Sequence, residues 1–137
     1  MKKILMCLAL IFATLAANAQ DLRNANNSTI GKIESDGTVR NSSNSTVGKI
    51  ESDGTIRNVN NATIGKIDSS GTIRNANNSS IGKVESDGTV RNGSNSTIGK
   101  IEKDGTVRNA NNSTIGYAKG VPVRYAAVFF FFDFFKK

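Results

Sequence analysis

One 17-residue unit decides the fold, and its first full copy, residues 30–46, reads IGKIESDGTVRNSSNST. Five full copies fill residues 30–114, a partial copy precedes them at Arg23–Thr29, and another starts at Ile115. Three series recur at this spacing: Gly31, Gly48, Gly65, Gly82, Gly99 and Gly116; Gly37, Gly54, Gly71, Gly88 and Gly105; and Arg23, Arg40, Arg57, Arg74, Arg91 and Arg108. Such a register indicates a tandem array whose neighbouring units share one narrow core.

Each unit predicts two short β-strands and no helix. Residues 38–41 (TVRN) form the first strand, because β-branched residues favour strands and alternation places Val39 and Arg40 on opposite faces. Residues 46–51 form the second. Asp36-Gly37 marks one tight turn, and the Asn/Ser group 42–45 marks the other.

A glycine inside the second strand needs a separate explanation. Ile30 and Ile33 are three residues apart, so a flat strand would send them to opposite faces. A bulge or a corner at Gly31 would place both on one face and turn Lys32 outward. The spacing therefore predicts an irregularity at every equivalent glycine.

Two all-β architectures fit this pattern. An antiparallel meander curled into a roll or barrel suits the Asp-Gly turns and the strand-turn-strand alternation, and we favour it. A parallel β-solenoid is the alternative, since its corners would suit stacked asparagines such as Asn41/Asn44, Asn58/Asn61 and Asn75/Asn78. We expect the array to occupy residues 20–120.

The N-terminus has the features of a secretory signal peptide. Lys2 and Lys3 precede an apolar run over residues 4–17, and Ala17-Asn18-Ala19 fits the small-x-small cleavage pattern. The run of about 14 residues is shorter than the roughly 20 that a membrane span needs. We therefore assign residues 1–19 to a signal peptide and expect the protein to be exported.

The C-terminal segment, residues 121–137, is unusually aromatic and could form a helix. It carries six of the seven phenylalanines: Phe129, Phe130, Phe131, Phe132, Phe134 and Phe135. A helix apolar on all sides must be buried or in lipid. Three uses stay open: the segment fills or caps the thin β core, docks these six side chains to a membrane or a hydrophobic partner, or drives self-association.

The unit D-G-T-V-R-N-x4-T-[IV]-G-K-I-E resembles bacterial exported repeat proteins that carry D-G-T-[VI]-x-[DN]…[IV]-G-x-I units. The ending Ile115-Gly116-Tyr117-Ala118…Tyr125-Ala126-Ala127 before an aromatic tail is similar to small members of that group. The resemblance covers about residues 21–128. It implies a β-repeat fold and an envelope or surface location, and it implies no activity.

The composition of the 137-residue chain makes several functions improbable. Its 18 Lys and Arg against 11 Asp and Glu give a net charge of +7, it has no His, and its single cysteine is Cys7. Histidine-assisted nucleophile chemistry and imidazole metal ligands are therefore excluded. Repetition also argues against an enzyme, because an active site needs one special constellation. We expect no enzymatic activity, no cofactor and no metal.

Two side-chain patterns point to ligands but have simpler explanations. Carboxylate pairs such as Glu34/Asp36 sit beside each Gly turn, and turn chemistry with pairing to Arg40 and Lys49 equivalents explains them better than calcium binding. Threonine ladders could bind a polysaccharide, although strand threonines facing solvent are common. The repeats lack aromatic residues, so we expect no nucleic acid partner.

The sequence therefore predicts an exported, non-enzymatic repeat protein that serves as a structural or interaction element of the cell envelope or surface. The location would be periplasmic, outer-membrane-associated or extracellular. The alternative is a small protein that binds polysaccharide or lipid. The partners expected are a membrane surface or a hydrophobic protein through the tail, a polysaccharide, or a second copy of the chain.

Cleavage is predicted after Ala19. The intact mass of the secreted protein should correspond to a chain that begins at Gln20. A secreted chain that retains Met1 would show that the N-terminus is not a cleaved signal peptide.

Overall fold

A computed structural model describes residues 20–135, and the predicted signal peptide lies outside the described residues. The structure consists of twelve short strands followed by one helix. The strands are β1 (Gln20–Asn24), β2 (Thr29–Ile33), β3 (Thr38–Asn41), β4 (Thr46–Ile50), β5 (Thr55–Asn58), β6 (Thr63–Ile67), β7 (Thr72–Asn75), β8 (Ser80–Val84), β9 (Thr89–Asn92), β10 (Thr97–Ile101), β11 (Thr106–Asn109) and β12 (Thr114–Tyr117). The helix, α1, spans Val123–Phe131.

The strands form a closed antiparallel barrel. Each strand pairs with its neighbours in the chain, and β1 pairs with β12, where Arg23 lies opposite Tyr117 and Asn24 opposite Gly116. Twelve strands at two per unit give six units. The predicted meander is confirmed, and the parallel solenoid is wrong because every strand pair is antiparallel.

The two kinds of turn lie at opposite ends of the barrel. We call one end the acidic end; its loops are residues 34–37, 51–54, 68–71, 85–88 and 102–105, which hold nine carboxylates. We call the other end the amide end; its loops are residues 25–28, 42–45, 59–62, 76–79, 93–96 and 110–113, which hold no charged residue. An up-and-down barrel separates the ends because successive turns alternate between them.

Both turns use one backbone plan with a residue at positive φ. At the acidic end, the Gly37 N–H donates to the Glu34 carbonyl at 2.8 Å, and Gly37 has φ 93°. At the amide end, the Asn44 N–H donates to the Asn41 carbonyl at 2.9 Å, and Asn44 has φ 66°. Glycine and asparagine are the residues that adopt this conformation most readily.

The first asparagine of each amide-end turn holds that turn together. The Asn41 Oδ1 accepts hydrogen bonds from the backbone N–H groups of Ser43 and Ser45, at 2.9 and 3.0 Å. The equivalent asparagine makes the same pair of bonds in every other unit. The asparagine columns therefore reflect side-chain-to-backbone turns rather than stacked solenoid corners.

A β-bulge recurs in every unit, close to the predicted place. In the β1–β2 pair, Leu22 lies opposite Gly31 but Arg23 lies opposite Thr29, so Ile30 is the extra residue. The same shift recurs in the later pairs. The bulge lets a half-buried Ile30 and a buried Ile33 pack against the same core.

The barrel interior carries two rings of aliphatic side chains, with one residue from each unit. The first ring is fully buried and consists of Leu22, Val39, Ile56, Ile73, Val90 and Val107. The second consists of Ile33, Ile50, Ile67, Val84, Ile101 and, in the sixth place, Ala118. The small sixth member precedes the turn that leads into α1.

The C-terminal segment lies inside the barrel. Ala126, Ala127 and Val128 each have 0 % relative exposure. Successive helical residues point about 100° apart, so three buried in a row mean that α1 is covered on most of its circumference. Two alanines keep this part of the helix narrow. The helix predicted in the tail is found over Val123–Phe131, and the chain leaves helical geometry at Phe132. Of the three uses proposed for the tail, the structure shows core filling.

The segment runs from the acidic end to the amide end. Arg124, near its start, lies beside Ser70 and Glu85 in a surface pocket at the acidic end. Phe134, near its finish, lies beside Thr46 and Val59 at the amide end. The tail is thus an axial plug around which six two-strand units are arranged.

The acidic-end turns give the first stability prediction. A Cβ at Gly54 would overlap the Ile67 carbonyl oxygen, and φ is 93° there. Gly54→Val should therefore lower the melting temperature far more than Ser52→Val, which changes an exposed residue of the same loop. Equal melting temperatures for the two variants would contradict the turn assignment.

Candidate functional site

The six tail phenylalanines form one structural feature, which we call the phenylalanine crown. Each ring packs on the glycine inside the second strand of one unit. The pairs are Gly31 with Phe129, Gly48 with Phe135, Gly65 with Phe134, Gly82 with Phe132, Gly99 with Phe131 and Gly116 with Phe130. A Cβ at Gly31 would lie 2.8 Å from Phe129 Cζ, so the ring occupies the space that a side chain would need.

The order of the crown around the barrel follows the order of the tail in sequence. From Phe129 on the first unit, the next rings pass to the sixth, fifth, fourth, third and second units in turn. Asp133 is the one residue of 129–135 that contacts no glycine of this series, and it is exposed. The tail therefore winds once around the barrel axis and leaves one ring on each unit.

The crown is mostly withdrawn from solvent. Phe129, Phe132 and Phe135 are buried, and the other three rings are partly buried against the core. Phe129 and Phe130 also make an edge-to-face contact with ring centroids 5.4 Å apart. All six predicted docking residues thus contact the chain's own barrel. Docking to a membrane or a partner stays a prediction. In the folded barrel, only the partly buried rings Phe130, Phe131 and Phe134 are exposed enough to make such a contact.

None of the helices within residues 20–135 combines the length and the apolar character needed to cross a membrane.

The crown glycines are the residues whose role sequence reasoning missed. The bulge accounts for Ile30, and two neighbours account for the absence of a side chain at Gly31: a Cβ there would lie 2.8 Å from the Phe129 ring and 2.8 Å from the Arg40 carbonyl oxygen. The sequence did hold one indication of this contact: the number of glycines in the series, six, equals the number of phenylalanines in the tail.

The outer wall carries a column of ion pairs, as the repeated arginines predict. The Arg40 Nε donates to Glu34 Oε2 at 2.8 Å, and its Nη1 donates to Thr46 Oγ1 at 3.0 Å and the Asn44 carbonyl at 3.2 Å. Four later units repeat the ion pair. Each arginine thus joins an acidic-end loop to an amide-end loop. Four threonines at equivalent positions accept these bonds: Thr46, Thr63, Thr97 and Thr114.

The aspartates of the acidic-end loops act as turn caps. The Asp36 Oδ1 accepts a hydrogen bond from the Thr38 N–H at 2.9 Å, and Asp53, Asp87 and Asp104 repeat it. These bonds, with a smaller contribution from nearby lysine or arginine charge, lower the pKa of all four carboxyls below the ordinary 3.8. The turn-chemistry interpretation is confirmed for the turns and for pairing with arginine, whereas the predicted pairing with Lys49 and its equivalents is not found among residues 20–135. Within residues 20–135, no three side chains of His, Cys, Asp or Glu lie close enough together to hold a metal ion.

The repeat is interrupted where β12 meets β1, which we call the seam. Tyr117 takes the place of a lysine, and Lys119 takes the place of the carboxylate that pairs with arginine in other units. Arg23 pairs instead with Asp21 at 3.2 Å. These four residues and Gly120 line part of an open surface pocket of about 440 Å³.

A second irregularity lies at the amide end, in the loop that follows β5. Val59 stands where the other units have Ala25, Ser42, Ala76, Gly93 and Ala110, and its relative exposure is 63 %. With Val47 and Phe134 it forms an apolar wall, and Thr46 and Asn58 form the polar edge. We call this cavity of about 270 Å³ the Val59 notch.

The chain belongs to the family described as 5-fold beta-flower protein, which matches residues 19–135. That description agrees with tandem β-units arranged around an axis. Whereas the description names five-fold repetition, residues 20–135 of this chain form twelve strands in six units. No curated protein and no solved structure matches the chain.

The crown contact gives a matched pair of glycine variants. Gly99→Ala should destabilise the protein by about 1–3 kcal/mol, because the methyl group overlaps Phe131 and crowds the Arg108 carbonyl. Gly93→Ala, with no heavy atom outside its chain neighbours nearer than 3.6 Å to the added Cβ, should change stability by less than about 0.5 kcal/mol. Chemical denaturation of both variants measures the difference; equal stabilities would exclude the packing constraint.

Acid should weaken the turns at the acidic end. The pKa of Asp36, Asp53, Asp87 and Asp104 is lower in the folded state, so the unfolded chain binds more protons near pH 3.8. This part of the stability is present above the unfolded-state pKa of 3.8 and is lost as the pH falls through the lower pKa of the folded state. Replacing all four by Asn should reduce the acid-induced fall in melting temperature; an unchanged fall would contradict the assignment.

Proposed function

We propose that the protein is an exported, non-enzymatic repeat protein that acts as a structural or interaction element of the cell envelope or surface. The observation that carries this proposal is the plug. The chain's own tail occupies the barrel interior, and three of its residues have 0 % relative exposure. Contacts with partners would therefore be made by the outer wall and the two ends, which repeat in nearly every unit.

The absence of enzymatic activity is supported by the state of the carboxylates. A glycosidase, a hydrolase class that works without His, needs two carboxyls free to act as acid and base. Here the first carboxylate of each acidic-end loop pairs with an arginine. The second, where present, caps its turn.

Export is supported by the N-terminal sequence. Lys2 and Lys3, the apolar run over residues 4–17 and Ala17-Asn18-Ala19 together have the pattern of a cleaved signal peptide. The family match begins at residue 19, next to the predicted cleavage point.

Ligand binding is the second candidate function, and the amide end favours it. This end combines 24 uncharged loop residues with the partly exposed rings Phe130, Phe131 and Phe134. Polar groups with hydrogen-bonding capacity around an apolar centre are typical of small-molecule binding surfaces. A polysaccharide or a lipid would be the ligand of such a protein.

Fractionation of a bacterial host that expresses the full chain tests the proposed function. The wild-type protein should be recovered outside the cytoplasm, and Leu8→Arg, which interrupts the apolar run, should remain inside at full length. The purified protein should release no reducing ends from a polysaccharide panel. Cytoplasmic wild-type protein would refute export, and released sugar would refute the absence of an enzyme.

A further inference from the structure

We propose that the protein binds a neutral polysaccharide at its amide end. One sugar ring of the polysaccharide occupies the Val59 notch, and the neighbouring sugars contact the surrounding amide-end loops. The inference rests on the proposed function, because it identifies the ligand class of the exported interaction surface. It concerns Val59, the large apolar side chain that is exposed in the part of the chain that the structure describes.

The notch has the two kinds of surface that a sugar ring needs. Val47, Val59 and Phe134 supply an apolar wall against which the C–H face of a pyranose can pack. Thr46 and Asn58 lie at its edge. The Asn58 Oδ1 is already occupied by the N–H groups of the turn, so its Nδ2 hydrogens are the donors that remain for a sugar hydroxyl.

Charge selects a neutral glycan over an anionic lipid. The six amide-end loops hold no Lys or Arg of their own. The arginines that reach this end are already paired: Arg57, for example, donates to Glu51 and to the Asn61 carbonyl. Lys136 and Lys137, which follow Phe135 in the chain, lie outside the described residues. A ligand whose recognition depends on hydroxyl groups fits a surface made of amides and hydroxyls.

The repetition would help a long glycan more than a short one. Every amide-end loop presents an exposed asparagine at positive φ: Asn27, Asn44, Asn61, Asn78, Asn95 and Asn112. A chain of sugars anchored in the notch would meet several of these amides, and each further contact raises the apparent affinity through effective concentration.

The experiment uses the mature protein and three neutral oligosaccharides: maltohexaose, cellohexaose and mannohexaose. Saturation-transfer NMR and calorimetric titration should show binding of at least one of them. Val59→Ala, which introduces the residue found in three other units, should weaken that binding about three- to tenfold. Asn58→Asp keeps the acceptor oxygen of the turn but loses the amide donor, and should weaken it to a similar extent.

Asn75→Asp is the matched control, because Asn75 makes the same turn bonds but does not line the notch. It should bind sugar like the wild type, and melting curves of all variants report on folding. No binding of any of the three oligosaccharides, or equal binding by Val59→Ala, would overturn the inference. Binding to phosphatidylglycerol vesicles that is lost in Val59→Ala would show a lipid site instead.

Failure of this inference and failure of the proposed function have different signatures. Cytoplasmic retention in the fractionation experiment refutes export and leaves the sugar titration unchanged. Absence of sugar binding refutes the notch assignment and leaves the exported, non-enzymatic role in place.

Discussion

The contact between one phenylalanine ring and one glycine backbone, made once in every unit, is the constraint on which the rest of the structure depends. Twelve strands enclose more space than two rings of aliphatic side chains can fill, and the third layer comes from the tail. At Gly31 the ring of Phe129 takes the place of a side chain. Complete burial of a phenylalanine contributes roughly 1.5–3 kcal/mol, so the crown is a major part of a thin core.

The plug also gives the two ends of the barrel their separate chemistry. The tail enters among charged loops, where Arg124 lies near Glu85, and finishes among uncharged turns, where Phe134 lies beside Val59. The arginine column joins the ends along the outside, because Arg40 bonds to Glu34 and to the Asn44 carbonyl at once. The tail inside the barrel and the arginine bonds on the outer wall therefore both connect the acidic end to the amide end.

Local features were predictable because their causes lie within one unit. The positive φ of Gly37 follows from Asp-Gly turn chemistry, and the bulge follows from the spacing of Ile30 and Ile33. The asparagine columns were harder to assign, since Asn41 suits a stacked corner and a capped turn equally well. Only the antiparallel strand pairing decides between them.

The crown could not be derived in the same way, because it joins residues of different units, from 14 positions apart (Gly116 and Phe130) to 98 positions apart (Gly31 and Phe129). Nothing near Gly31 identifies Phe129 as its neighbour, and the bulge offered a sufficient local reason for a glycine. The tail's need for burial was predictable from its composition. Its path through the barrel depends on closure between β1 and β12, which no single unit encodes.

The most direct test of the account is the stability of a barrel with one unit removed. Deleting residues 34–50 joins Ile33 to Glu51 in register and removes Gly48, whose partner is the last ring, Phe135. We predict that ending the chain at Phe134 destabilises the six-unit protein but stabilises the five-unit protein, in which five rings then match five glycines. Thermal unfolding that shows the same effect of the truncation in both proteins would contradict it.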